Sequence, residues 1–109
     1  MPTSYKVLGQ SNPAASTLTT VYTCPANTSA VVSTIVACNF GGTSSNVSLS
    51  VQIANASLTN AMYVANNIAV STQNSLALTL GITLGATDTI RANCSTGNIA
   101  ISIFGSEIS

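Results

Sequence analysis

Leu76-Ala77-Leu78-Thr79-Leu80-Gly81-Ile82-Thr83-Leu84 sets a large apolar side chain at every second position. Successive side chains of an extended chain point to opposite faces, so a period of two describes a strand with one buried face. The alternation recurs at Val47, Leu49, Val51 and Ile53, spaced by Ser48, Ser50 and Gln52, and again at Ile99, Ile101 and Ile103. Leu49, Val51, Leu78, Leu80, Ile101 and Ile103 are therefore expected inside the core.

Working outward, Tyr5–Leu8, Thr17–Thr23, Ala30–Phe40, Asn60–Ala65 and Thr89–Cys94 also read as strands. The Ala30–Phe40 run is apolar on both faces, with Val32, Val36, Cys38 and Phe40 on one and Val31, Ile35 and Ala37 on the other. A central strand covered on both sides would explain that, and so would a face packed on a neighbouring subunit. Turn-forming residues fall between the runs: Gly9 to Ala14, Pro25-Ala26-Asn27, Gly41 to Asn46, Asn66-Asn67, Gly85 to Asp88 and Ser95 to Asn98. Helix formers such as Glu, Lys and Arg are nearly missing. The expectation is an all-β chain: an antiparallel β-sandwich, jelly-roll-like, of about eight strands, forming one domain over residues 1–109.

Only Lys6, Asp88, Arg91 and Glu107 are charged, and the chain has neither His nor Trp. Soluble domains are about 25% charged on average. General acid–base catalysis, metal ligation and nucleophile activation draw on the residue types this chain lacks. A paired-carboxylate mechanism would need Asp88 and Glu107, yet Asp88 reads as a turn residue and Glu107 as part of a frayed tail. No catalytic, cofactor or metal residue is expected. Cys24, Cys38 and Cys94 have no Cys-x-x-Cys spacing, so they read as reduced thiols acting as small core hydrophobes, although two could still pair. Two cations at net charge zero cannot form the basic stripe that nucleic acid requires.

The chain is 46% hydrophobic with mean hydropathy +0.47, but no segment holds the ~18 apolar residues of a spanning helix. The start, Met1 to Lys6, has no apolar run of signal-peptide type. The sequons at Asn27, Asn46, Asn55 and Asn93 are close to chance for a chain with 11 Asn and 31 Ser plus Thr. Arg91 is expected to point outward from its strand, pairing with Asp88 or with a partner's carbonyls; a lone Arg can also anchor an interface. Tyr22 and Phe104 are expected in the core, which leaves few aromatics to stack on sugars.

Tyr22-Thr23-Cys24-Pro25-Ala26-Asn27-Thr28-Ser29-Ala30-Val31-Val32-Ser33-Thr34-Ile35 and its continuation to Asn39, followed by a Gly/Ser/Thr loop, resemble a pattern of small phage virion proteins. The ending Ile101-Ser102-Ile103-Phe104-Gly105-Ser106-Glu107-Ile108 is similar to the C-termini of short structural proteins of tailed phages infecting aquatic bacteria such as cyanobacteria. The resemblance implies a non-enzymatic subunit of the virion, assembled in the host cytoplasm. The leading expectation is a capsid decoration (cement) protein bound to the major capsid protein. The alternatives are a neck, tail, baseplate or fibre component, or a receptor- or carbohydrate-binding module. Low charge and sheet edges without Lys or Glu predict a homo-oligomer, a trimer first, or tight docking on a shell, with no nucleic acid or membrane partner. The sequence names no interface residue.

Overall fold

The computed structural model describes residues 3–79 and 81–108, apart from the side chain of Asn55. Among the described residues, nine strands form two antiparallel sheets: β1 (Thr3–Ser11), β2 (Thr19–Thr23), β3 (Ser29–Asn39), β4 (Ser45–Gln52), β5 (Tyr63–Val70), β6 (Ser75–Leu78), β7 (Ile82–Leu84), β8 (Thr89–Cys94) and β9 (Ile99–Ile108). The first sheet runs β1-β9-β3-β6, with β7 also paired to β3; the second runs β2-β8-β4-β5. β6 and β7 lie end to end along β3, opposite Ile35–Cys38 and Ala30–Val32. Counted as one strand position, they leave four nested antiparallel pairs: β1 with β9, β2 with β8, β3 with β6 and β7, β4 with β5. That is a long hairpin rolled into two sheets, the jelly-roll connection.

The core lies between the sheets. The first sheet contributes Val32, Ile35, Leu84, Ile99, Ile101 and Ile103, and the second contributes Val47, Leu49, Ile90 and Ala92, all essentially inaccessible. Each large aliphatic side chain buried this way stabilises the fold by about 1.5–3 kcal/mol. Leu49, Ile101 and Ile103 meet the expectation, while Val51 and Leu78 are half-buried at the margin. Leu80 lies outside the described residues.

Bulges set the phase of the strands. In β3 the register with β9 jumps between Val32 and Thr34, so Ser33 is extra, and its hydroxyl donates to the Phe104 carbonyl. The inward set is therefore Ala30 and Val32, then Ile35, Ala37 and Asn39. This corrects the unbroken alternation expected there, which grouped Val32 with Val36 and Cys38. The β9 backbone comes close at this point: a Cβ on Gly105 would run into the Val31 carbonyl oxygen. A second bulge, at Leu8 of β1, faces the same stretch of β9.

Further differences have local causes. β4 stops at Gln52, because Ile53–Asn55 form a 3-10 turn with Ala54 at φ 51; Ile53 is exposed rather than inward. Gln52 and Ser50 are buried although they face away from the core. Gln52 Nε2 donates 2.7 Å to the Ala56 carbonyl, and Ser50 Oγ donates to Gln52 Oε1. Residues 60–62 are a 3-10 turn, and Asn66-Asn67, read as a breaker, is a bulge inside β5. Glu107 belongs to β9, a central strand, and not to a frayed tail.

Candidate functional site

The charged side chains are committed to structure. Asp88, in the turn between β7 and β8, accepts from the backbone N–H of Ala54 through Oδ1 and of Gly85 through Oδ2, each at 2.9 Å. This matches its reading as a turn residue. Glu107 points between the sheets at one end of the sandwich. Its Oε1 pairs with Lys6 Nζ at 2.6 Å and its Oε2 accepts from the Tyr22 hydroxyl at 2.5 Å. Those two donors hold the Glu107 carboxyl below the usual carboxylate range. Burial, aided by Glu107, pushes the Tyr22 hydroxyl well above the ordinary tyrosine value. Arg91 is half-buried on the outer face of the second sheet, with Nε donating 2.8 Å to Thr20 Oγ1. Among the described residues, no group of three or more His, Cys, Asp or Glu side chains could hold a metal ion.

The three thiols are free and fall into two kinds. Cys24 and Cys94 are buried, and loss of water raises both above the ordinary thiol value, Cys94 to about 11. They are core hydrophobes, as expected. Cys38 is exposed, because the bulge at Ser33 turns it to the outside.

The outer face of the first sheet mixes apolar side chains with polar ones, Gln10, Thr34, Thr83, Ser102 and Ser106 among them. On the first sheet Val7 pairs with Phe104, Thr34 with Phe104, Val36 with Ser102, Cys38 with Ala100, and both Tyr5 and Val31 with Ser106. Val7 is 48% exposed, and Val31 and Phe104 are each 37% exposed. Phe104, expected in the core, is thus on the surface, while Tyr22 is inside as expected. None of the four charged residues lies on this face: Lys6 and Glu107 turn inward, Asp88 sits in a turn and Arg91 is on the other sheet. The outer face of the second sheet carries Asn46, Ser48, Asn93 and Arg91 instead. Each single strand showed two possible faces in the sequence, but this outer face needed the phase of β1, β3 and β9 together.

The edges are better protected than the shortage of charge implied. β1 turns Lys6 inward and bulges at Leu8, β2 bulges at Val21, and β5 slips register twice. Inward charges and bulges block strand-to-strand addition at these three edges.

No protein-family model matches the chain, and no curated protein matches it.

Proposed function

We propose that the protein is a non-enzymatic structural subunit of a tailed-phage virion, docked through the outer face of its first sheet, with the capsid exterior as its leading location. The observation that carries this reading is an uncharged face on which Val7, Val31, Val36, Cys38 and Phe104 sit among Gln10, Thr34, Thr83, Ser102 and Ser106. Charge depletion at the centre of a contact is what distinguishes interface cores from ordinary surface. The partner surface is then uncharged too, since an unpaired charge buried against this face would be costly. Jelly rolls serve in viral capsids and in lectins alike, so the fold supports a virion role without choosing it.

The size of the face bears on assembly. Four strands about 4.8 Å apart and some seven residues long cover roughly 400 Å² in projection. A standard stable interface buries about 800 Å² per partner. One face alone binds weakly, and several linked copies bind firmly by avidity. This supports a trimer, or a lattice of copies on a shell. In a cement protein this binding is the mechanism: contacts across neighbouring shell subunits resist internal pressure. A neck or tail location would use the same face.

The test is retention on purified particles. Screening acts on exposed charges, so the protein is expected to stay bound across a salt series. A bulky maleimide on Cys38 should block rebinding, and bound protein should shield Cys38 from the same reagent. Copy number in the hundreds assigns the shell, and multiples of three or six assign the neck or tail. Release by moderate salt, or a Cys38 equally reactive on the particle, would overturn the docking face.

A further inference from the structure

The outer face of the second sheet holds a groove of about 300 Å³ that the docking reading does not use. Its floor is Ser48 on β4 and Asn93 on β8, which are register partners. One wall is the β5 bulge, where Asn66 and Asn67 together stand opposite Ser48 and Asn67 has φ 52. Ser48 holds that bulge open: its hydroxyl donates to Asn66 Oδ1 and accepts from the Asn67 N–H at 2.9 Å. The other wall is Ser16, pinned where its N–H donates 2.7 Å to the Cys94 carbonyl. Tyr63, 37% exposed, closes one end, and Asn46 and Ser95 close the other. Bulges beside sites serve to re-aim side chains in this way.

The lining has a definite chemistry. Four carboxamides, each both donor and acceptor, and three hydroxyls surround one aromatic ring, with no charged residue among them. Among the described residues, no neighbour engages the side-chain amides of Asn46, Asn67 and Asn93. An apolar ligand would leave these groups unpaired, and a metal ion would find no carboxylate in the lining. Adjacent hydroxyls on a ring that also has an apolar C–H face satisfy both halves of the lining. The volume lies at the lower end of the ~300–1,000 Å³ of small-molecule sites, suited to a monosaccharide or disaccharide.

We infer that this groove is a binding site for a neutral saccharide, with Tyr63 stacking on the sugar face and Asn46, Asn67 and Asn93 pairing with its hydroxyls. It lies on the sheet opposite the docking face, so a docked copy would present it outward, and either reading can fail alone. The experiment is a nuclear magnetic resonance titration of the full chain with glucose, galactose, N-acetylglucosamine, maltose and lactose. Adenosine and a neutral dipeptide serve as comparison ligands. Shifts are expected at the groove amides for at least one sugar, with a Kd on the order of 1 mM. Tyr63→Ala and Asn93→Ala should each weaken that binding about tenfold or more with the remaining spectrum unchanged, while Tyr63→Phe retains it. No groove shift with any sugar, unchanged affinity in both alanine variants, or equal binding of adenosine or the dipeptide would overturn the assignment.

Discussion

Asn39 shows how much a single residue can organise here. It is fully buried at the end of β3, in the inward phase set by the bulge at Ser33. Its Nδ2 donates to the carbonyls of Thr43 and Val70, at 2.8 and 3.1 Å. Its Oδ1 accepts from the Gly41 N–H and from Asn98 Nδ2, at 3.0 and 2.9 Å. One amide therefore ties together β5, the β3–β4 loop and the β8–β9 turn. Asn39→Ala strands the buried Val70 carbonyl and should cost about 1–3 kcal/mol, read from the urea midpoint. A loss under 0.5 kcal/mol, within the usual range for surface changes, would contradict this account. The cysteines give a second test at this scale. Brief alkylation of the native protein should modify Cys38 alone, and Cys24 and Cys94 should react only after unfolding. Mass spectrometry of peptides checks this, and early labelling of either buried thiol would count against the packing described.

Among the elements, β9 fixes the most. It lies between β1 and β3, supplies Ile99, Ile101 and Ile103 to the core, and faces the bulges of both neighbours around Phe104 and Gly105. Gly105→Ala pushes a Cβ into the Val31 carbonyl, a backbone contact that cannot swing aside. The expected loss is about 1–3 kcal/mol, as for other overpacked sites. Leu49→Ala, which empties a core position in β4, should cost about 2–5 kcal/mol. Thermal denaturation of both variants is the check. An unaffected Gly105→Ala would mean that the β3–β9 approach is looser than the geometry indicates.

At the scale of the whole molecule, the few titratable groups shape stability against pH. Glu107 is depressed on folding by Lys6 and Tyr22. Its contribution is complete above the unfolded value of about 4.3 and is lost as pH falls through the lower folded value. Cys94 is raised to about 11 by burial. Its contribution is present below the unfolded value of about 8.5 and is lost as pH rises toward the folded value. Stability should therefore be flat from about pH 5 to 8 and fall on both sides. Urea midpoints across pH test this. Glu107→Gln should flatten the acid limb and Cys94→Ala should soften the alkaline one. Unchanged limbs in both variants would refute the assignment. The molecule also keeps its four charged side chains off the outer face of the first sheet, while the second carries Arg91 among amides and hydroxyls.

The sequence by itself determined the strand class, the approximate bounds of the strands and the poverty of charge. These follow from period-two alternation, turn residues and composition, all local or additive properties. It also placed Asp88 in a turn and Tyr22, Leu49, Ile101 and Ile103 inside. Only the tertiary structure decided which face of β3 is outward, because one inserted residue at Ser33 reverses the phase and is defined only against β9. That reversal exposes Cys38. The break of the Leu76–Leu84 run into β6 and β7 likewise depends on how each half pairs along β3. The groove was illegible for the same reason. Ser16, Ser48, Asn66 and Asn93 lie on segments far apart in the chain, and only strand pairing across the second sheet brings their polar groups to one place.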